Sequence, residues 1–395
     1  MNYLGLYIHI PFCLSKCGYC DFYSVKATER TQSAYIDALL MQMKEYTIAT
    51  KDKTFDTVFI GGGTPTSINN EDLIKIIKTA QKRFNIAKSC EITVEVNPRT
   101  IDDKGLKNLY KAGVNRLSIG LQSIHGSELK ALSRVHSFKD FAECYENAVQ
   151  TGFENINVDL MYGIPNQTLE SFYATLKKVV SLKPTHISVY GLKIEPGTKF
   201  YELGDNLKML LPDEDTEFKM YSMCCELLEK SGYDHYEISN FAQKDCECKH
   251  NLKYWKCMEY VGLGVSAHSY FCNYRFSFKK DIKDYIKSFN YNQDNMQNIG
   301  VFDLERYNLF DEHMEIKPNE RIGEFIMLGF RLKNGINKIK FARLFGKDFD
   351  RLYYDRIEPF IDSGHIVRTE SGYAFSREGM FVSNYILSRI LDFDN

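Results

Sequence analysis

The alternation of short apolar segments with longer amphipathic ones, from residue 5 to about 192, constrains the fold most strongly. Helical patterns cover residues 35–46, 70–84, 102–112, 139–151 and 169–182. The strand-like segments between them are LGLYIHI, DTVFIGG, EITVEV, NRLSIG, INVDLMYG and HISVYGL. Such alternation predicts a parallel sheet with crossover helices, and six units are fewer than the eight of a closed barrel. We therefore expect an α/β fold built on a partial (β/α)6 barrel.

Polar and glycine-containing segments follow the predicted strands at the points where those strands end. GGGTPT follows the second strand, EVNPR the third, GLQS the fourth and DLMYG the fifth. In parallel α/β folds this edge of the sheet is where ligands bind. We expect the functional site there.

The alternation ends near residue 200, and we expect an extension over about 201–304 that completes a core domain of residues 1–304. Residues 305–395 then form a second domain. Helical patterns at 320–332, 339–345 and 351–363, followed by the two-stranded segment HIVRTESGYAFSREG, predict an α+β winged-helix-like domain. Residues 321–395 hold 12 Lys and Arg against 10 Asp and Glu, a balance that favours a packing role over DNA binding.

Charge and hydropathy exclude several functional classes. The chain has 50 Lys and Arg against 52 Asp and Glu, which argues against nucleic acid as a partner. No apolar run approaches the roughly 18 residues of a membrane span, and the first residues do not resemble a signal peptide. We expect a cytoplasmic protein. Its 11 cysteines lack the spacing of a disulfide framework and indicate free thiols with a metal or redox site.

Three cysteines lie close together directly after the first predicted strand, as Cys13-x3-Cys17-x2-Cys20. Structural zinc sites use four ligands, commonly from two cysteine pairs, and no second pair lies at a suitable distance. His9 could complete a zinc site, although on a strand it is better placed to point into the sheet. A 4Fe-4S cluster on three cysteines would leave one iron open to a substrate or cofactor. The spacing favours the cluster and leaves zinc as the alternative.

The triplet, with GGGTP one strand–helix unit later, resembles the radical S-adenosylmethionine enzymes. The resemblance implies a 4Fe-4S cluster whose open iron is chelated by the amino and carboxylate groups of S-adenosylmethionine. Reductive cleavage of that cofactor yields a 5′-deoxyadenosyl radical. The similarity extends over nearly the whole chain to the coproporphyrinogen-dehydrogenase-like branch, through YIHIPFC, FIGGGTPT, EVNP, IGLQS, DLMYGIP, SVYGLKIEPGT and YEISNFA.

The same resemblance implies a set of cofactor-contacting positions. These are Tyr7, Tyr19, Gly62, Gly63, Thr64, Glu95, Gln122, Arg134 and Asp159. Glycines allow close approach of the backbone to a ligand, but a tight turn would also use them. Glu95 and Asp159 could accept from ribose hydroxyls or merely cap strand ends, Arg134 could pair with a carboxylate or be a solvated helix charge, and Tyr19 could simply pack.

Three features distinguish between members of this branch. The decarboxylating oxidases resemble this chain but have a fourth cysteine where Phe22 stands, and they have an N-terminal arm, whereas six residues precede Tyr7 here. The segment HNLKYW, beginning at His250, resembles the HNxxYW signature of the haem-chaperone members. His250 is a candidate haem ligand, or it belongs to a hydrogen-bonded turn. A second metal site formed by His250 with Cys246, Cys248 and Cys257 is disfavoured by the cysteine spacing.

The resemblance therefore implies a haem chaperone that passes haem to acceptor haemoproteins. The cluster and S-adenosylmethionine would be retained for a regulatory, dimer-forming or radical role, with a low-potential electron donor as a further partner. The alternative is an oxygen-independent coproporphyrinogen III oxidase or another radical enzyme acting on porphyrins. No catalytic residue is assigned.

Overall fold

The computed structural model describes residues 3–290 and 309–391. Its strands are β1 (Tyr3–Ile10), β2 (Thr54–Gly62), β3 (Ile86–Val96), β4 (Arg116–Gln122), β5 (Asn155–Tyr162), β6 (His186–Gly191), β7 (Asp234–Glu237), β8 (Asn240–Ala242), β9 (Tyr260–Leu263), β10 (His268–Phe271), β11 (Tyr274–Phe278), β12 (Phe310–Glu315), β13 (Ile336–Asn337), β14 (Ile366–Arg368) and β15 (Gly372–Phe375).

The helices begin and end as follows: α1 (Glu29–Ala49), α2 (Asn70–Arg83), α3 (Asp103–Lys111), α4 (Gly126–Ala131), α5 (Phe138–Thr151), α6 (Leu169–Leu182), α7 (Lys199–Leu203), α8 (Asp205–Lys208), α9 (Glu214–Lys230), α10 (Lys249–Trp255), α11 (Ile282–Asn290), α12 (Pro318–Gly329), α13 (Lys338–Phe345), α14 (Phe349–Asp362), α15 (Arg377–Phe381) and α16 (Ser383–Leu391).

Strands β1 to β6 form a parallel sheet in sequence order, which confirms the partial (β/α)6 barrel. Within the described residues the sheet has 12 strands, because five strands of the extension (β7 to β11) and β12, which follows residue 304, add to its two edges. β8 and β7 continue it beyond β6, while β9, which runs parallel to β1, leads to β10, β11 and β12. The boundary predicted at residue 304 lies outside the described residues.

Alternate residues of β1 divide between a dry outer layer and the barrel interior. Leu4, Leu6, Ile8 and Ile10 are at most 1% exposed and belong to the hydrophobic core that includes α1. Each such side chain contributes about 1.5–3 kcal/mol when fully buried. Because side chains alternate between the two faces of a strand, Tyr7 and His9 point inward. The outer layer therefore fixes the strands whose inner residues form the site.

The barrel interior is polar to an unusual depth. Arg116, on β4, is 2% exposed. On β6, His186 has both ring nitrogens in hydrogen bonds, from Nδ1 to Asn157 Oδ1 at 2.6 Å and from Nε2 to the Tyr236 hydroxyl at 2.8 Å. Buried polar groups of this kind are stable only when they are paired. The interior of the barrel is therefore lined with polar side chains, and we call this interior the chamber.

The C-terminal part has the predicted winged-helix-like arrangement, in which α12, α13 and α14 pack with a small sheet of order β13-β15-β14, with β13 between α12 and α13 and the other two strands after α14. The third strand of this sheet and helices α15 and α16 were not predicted. The part joins the core through backbone bonds from Ile238 N to Arg331 O at 2.9 Å and from Lys333 N to Tyr236 O at 3.0 Å. None of the described helices combines the length and apolar composition needed to cross a bilayer.

Candidate cluster and cofactor site

The three closely spaced cysteines lie on a loop that leaves and returns to the end of β1. The loop is closed by backbone bonds from Cys13 N to Val25 O at 3.3 Å and from Val25 N to Pro11 O at 2.7 Å. Cys13, Cys17 and Cys20 are free, partly exposed thiols. We call residues 13–24 the cluster loop.

A second anchor holds the middle of the cluster loop. Gly18 N donates to Leu132 O at 3.3 Å, and Gly18 O accepts from Phe200 N at 3.0 Å. Tyr19 packs in a small apolar cluster with Phe200, at 6.3 Å between ring centroids, so its neighbours fit a packing role beside the cysteines. Burial raises the pKa of the Cys20 thiol to about 11. Metal ligation would reverse that shift, because metals bind the thiolate.

The donor set fits an iron–sulfur cluster better than zinc. Among the described residues, no three His, Cys, Asp or Glu side chains converge on a point that would suit one metal ion. His9, which could have completed a zinc site, is 4% exposed. Its Nδ1 bonds to the Tyr7 hydroxyl at 3.0 Å and its Nε2 to Tyr23 O at 3.1 Å. The three cysteines alone remain, as a cluster with one open iron requires.

The glycine-rich end of β2 lies directly against the cluster loop. Thr64 N donates to Phe12 O at 2.8 Å, and Thr64 Oγ1 lies 3.6 Å from Cys13 Sγ. A Cβ on Gly63 would lie 2.7 Å from Phe12 O and 3.0 Å from Cys13 Sγ. Gly62 has φ 117°, which side-chain-bearing residues rarely adopt. The glycines are therefore required by the packing of β2 on the cluster loop.

Two carboxyl groups from β3 and β5 face each other across the chamber. Glu95 Oε2 accepts from Gly62 N at 3.1 Å, and burial, with the charge of Asp159, raises the pKa of Glu95 to about 8. Asp159 accepts from Asn157 Nδ2 at 2.7 Å and from Ser118 Oγ at 3.2 Å, and burial raises its pKa. A ligand that carries positive charge or hydroxyl donors would stabilise both ionised carboxylates.

Gln122 and Arg134 complete the side of the chamber near Cys17. Gln122 ends β4 with φ 69°, and its buried Oε1 has no hydrogen-bond partner. Strained backbone at a strand end and an unpaired buried acceptor are both common at ligand sites. Arg134 donates from Nη2 to Gly120 O at 2.9 Å and from Nη1 to Cys17 Sγ at 3.8 Å, and its Nε is buried without a partner. It is therefore not a solvated helix charge.

These residues fit S-adenosylmethionine, which would serve as the radical precursor when it is bound to a reduced cluster. Its ammonium and sulfonium charges would offset Glu95 and Asp159, and its carboxylate would suit the unpaired Nε of Arg134. Tyr7 lies on the inner face of β1, with its hydroxyl bonded to His9 and its ring 6.2 Å from that of Phe59. The structure thus gathers the nine cofactor positions inferred from sequence around the cluster loop and the adjoining strand ends.

His250, the candidate haem ligand, is fully buried, and its ring centroid lies 6.5 Å from that of Tyr7. Its Nδ1 bonds to Thr57 Oγ1 at 2.8 Å and its Nε2 to the Tyr254 hydroxyl at 2.8 Å. Its ring stacks on Phe59 with centroids 5.3 Å apart. In this conformation neither nitrogen is available to iron, and the residue holds α10 against the barrel strands.

The remainder of α10 is attached to the barrel by charged groups that the sequence analysis did not identify. Glu91 accepts from the backbone N–H groups of Lys249 and His250, both at 3.1 Å, at the start of the helix. Lys253 is 3% exposed and pairs with Asp56 at 2.6 Å. A carboxylate at a helix N-terminus and a buried ion pair both hold position strongly. The sequence contained one signal for Glu91, which is a charged residue at an inward-facing position of the otherwise apolar part of β3.

Among the described residues, the cysteines near His250 do not converge with it on a point that would suit a metal ion. Cys248 is fully buried and its Sγ lies 3.8 Å from Glu91 Oε1, while Cys246 and Cys257 are partly exposed. Burial raises the pKa of Cys248 and of Cys257, to about 12 and about 11. Both therefore remain thiols at neutral pH.

Comparison with known proteins identifies the family to which this architecture belongs. The model of the radical SAM superfamily matches residues 7–179, and that of the HemN C-terminal domain matches residues 316–382. The chain is 35% identical to the Bacillus subtilis heme chaperone HemW, with 98% of each chain covered, and 36% identical to the Escherichia coli protein of that name over 67% of this chain and 69% of that one.

Among solved structures, coproporphyrinogen III oxidase (HemN) from E. coli superposes with a TM-score of 0.83 at 23% identity, covering 98% of this chain and 90% of the other. At that identity the likeness shows the fold. The full-length sequence similarity to the HemW proteins shows more, because identity above 30% over nearly the whole chain identifies the family. The chain belongs to the radical S-adenosylmethionine superfamily and, within its coproporphyrinogen oxidase-like branch, to the HemW family.

Proposed function

We propose that this protein is a haem chaperone, which binds haem and transfers it to acceptor haemoproteins. The proposal is carried by identity above 30% over 98% of the chain to several proteins named heme chaperone HemW. Phe22, on the cluster loop, is 64% exposed. The decarboxylating oxidases that resemble this chain have a cysteine at that position, so Phe22 also favours the chaperone.

In this proposal the three cysteines hold the cluster, and the chamber residues hold S-adenosylmethionine. Arg134 keeps positive charge beside Cys17 and would orient a carboxylate near the open iron. Glu95 is fixed by Gly62 N and would accept from the cofactor's ammonium or hydroxyl groups. Gly63 and Thr64, directly after β2, lie against Cys13 and would hold this ligand in place.

The chamber also favours a second candidate, a radical enzyme acting on a porphyrin. The observation behind it is that Glu95, Gln122, Arg134 and Asp159 are all present around one polar chamber. A protein that only carried haem would not need to enclose a radical precursor. Oxidative decarboxylation of coproporphyrinogen is the specific reaction to test.

Stoichiometric haem transfer distinguishes the two candidates. Reconstituted protein, loaded with one haem under anaerobic conditions, should give up intact haem to an apo-haemoprotein acceptor, measured by the acceptor's Soret spectrum. The same preparation given coproporphyrinogen, S-adenosylmethionine and reductant should yield no protoporphyrinogen. Failure to retain haem would remove the chaperone proposal, and formation of protoporphyrinogen would support the enzyme.

A further inference from the structure

A pocket of about 240 Å³ lies beside the cluster loop, on the side of the segment that returns from the loop. Cys13, Lys16 and Ser24 line it from the cluster loop, Lys26 from the segment that follows the loop, and Lys199 from the start of α7. The pocket is separate from the inward-facing carboxyl groups. None of the contacts described for the cofactor chamber accounts for it.

The pocket is strongly cationic in a chain whose net charge is only -2. Lys16, Lys26 and Lys199 are exposed, and among the ion pairs of the described residues none involves these three lysines. No Asp or Glu contributes to its lining among the residues that the structure describes. Three unpaired ammonium groups around one concavity favour a ligand with more than one negative charge.

Ser24 gives a second, independent sign of a ligand. Its Oγ is buried and has no hydrogen-bond partner, although buried hydroxyls in proteins are nearly always bonded. In a pocket ringed by ammonium donors, the group that this hydroxyl can complement is an acceptor oxygen. A carboxylate satisfies both the hydroxyl and the lysines.

Two apolar side chains are exposed on the same cluster loop. Leu14, between the pocket residues Cys13 and Ser15, is 58% exposed, and Phe22, two residues before Ser24, is 64% exposed. The pocket itself is too small for a macrocycle, since sites for whole drug-sized ligands occupy roughly 300–1,000 Å³. It is large enough for carboxylate side arms, with the ring lying over the apolar side chains outside.

We propose that this pocket binds the two propionate carboxylates of haem, or of another porphyrin dicarboxylate, while Leu14 and Phe22 contact the ring. This inference rests on the proposed function and places the tetrapyrrole beside the cluster loop. An acidic partner protein on the same lysines is the competing occupant. The concave shape of the pocket favours the porphyrin, because the lysines and Ser24 surround a cavity that the surface of a protein would not fill.

The test compares haem with its dimethyl ester, in which both propionates are neutral. Wild type, the triple variant Lys16→Gln/Lys26→Gln/Lys199→Gln and the matched surface control Lys82→Gln/Lys104→Gln/Lys111→Gln are titrated anaerobically with each ligand. Iron and sulfide content verify that the cluster is intact. The triple variant should bind haem about tenfold more weakly, since each exposed ion pair contributes a factor of a few, and the control should match wild type.

The ester gives the decisive comparison. Wild type should bind the ester about as weakly as the triple variant binds haem, and the triple variant should no longer distinguish the two ligands. Equal haem affinity in wild type and triple variant would overturn this inference but not the proposed function. If that result came with slower cluster reduction by an acidic flavoprotein, the lysines form a protein-docking surface. Wild type that binds neither ligand would overturn the proposed function, and this inference with it.

Discussion

Replacing His250 by alanine should weaken the fold while sparing haem affinity. The substitution leaves the hydroxyls of Thr57 and Tyr254 without their partner, each bond being 2.8 Å long. An unpaired buried polar group costs about 1–3 kcal/mol. Lost stacking on Phe59, with centroids 5.3 Å apart, adds about 0.5–1.5 kcal/mol. With two such hydroxyls we expect about 2.5–7.5 kcal/mol in total, a large share of the roughly 5–15 kcal/mol that stabilises a folded protein.

The assay is anaerobic urea unfolding of wild type and variant, followed by fluorescence, together with haem titration at urea concentrations far below both midpoints. His268→Ala is the control, since His268 is exposed on β10 and should shift stability by less than about 0.5 kcal/mol. Folded His250→Ala should bind haem within about threefold of wild type. A variant that unfolds at the wild-type midpoint but no longer binds haem would refute the reasoning and make His250 a ligand.

Three further predictions concern the cluster and its cofactor. Cys17→Ser should lose most of its iron and sulfide, whereas Cys144→Ser should keep them, because Cys144 is buried within α5. Full iron content in Cys17→Ser would show that Cys17 is not a cluster ligand. Gly63→Ala should lower cluster occupancy several-fold, because the added Cβ would push Phe12 O and Cys13 away. An iron assay after reconstitution measures this loss, and normal occupancy would mean that the end of β2 shifts to make room. Since the pKa of Glu95 is raised to about 8, ligand-free protein should lose stability as pH rises towards 8, and S-adenosylmethionine affinity should rise with pH up to about tenfold per unit. In calorimetric titrations the affinity of Glu95→Gln should depend less steeply on pH than that of wild type, and an unchanged slope would exclude Glu95 as the titrating group.

The barrel could be predicted from sequence because its signals are local. Apolar periodicity gave the six strand–helix units, and α6 begins and ends at the predicted residues 169 and 182. The cysteine triplet was equally local. The edge strands were not predictable in this way, because the pairing of Gly5 with Tyr260 joins residues far apart in the chain and depends on packing that periodicity does not encode.

Contacts of the polar side chains were the least predictable part of the site. Glu91 meets the start of α10 at a sequence separation of 158, and Arg134 reaches Cys17 across 117 residues. Sequence spacing cannot distinguish such inward-facing charges from solvated ones. His250 shows the same limit, since its motif was recognisable while its two hydrogen bonds depend on where β2 and α10 meet.

The measurement that tests the central claim most directly is a paired anaerobic assay of reconstituted protein with S-adenosylmethionine and reductant. It follows intact haem, transferred to an apo-acceptor, and 5′-deoxyadenosine, released in the presence of a porphyrin substrate. We predict stoichiometric transfer of intact haem with no substrate-dependent release of the nucleoside. Rapid nucleoside release coupled to loss of the porphyrin, with no haem reaching the acceptor, would contradict the account and make the protein an enzyme.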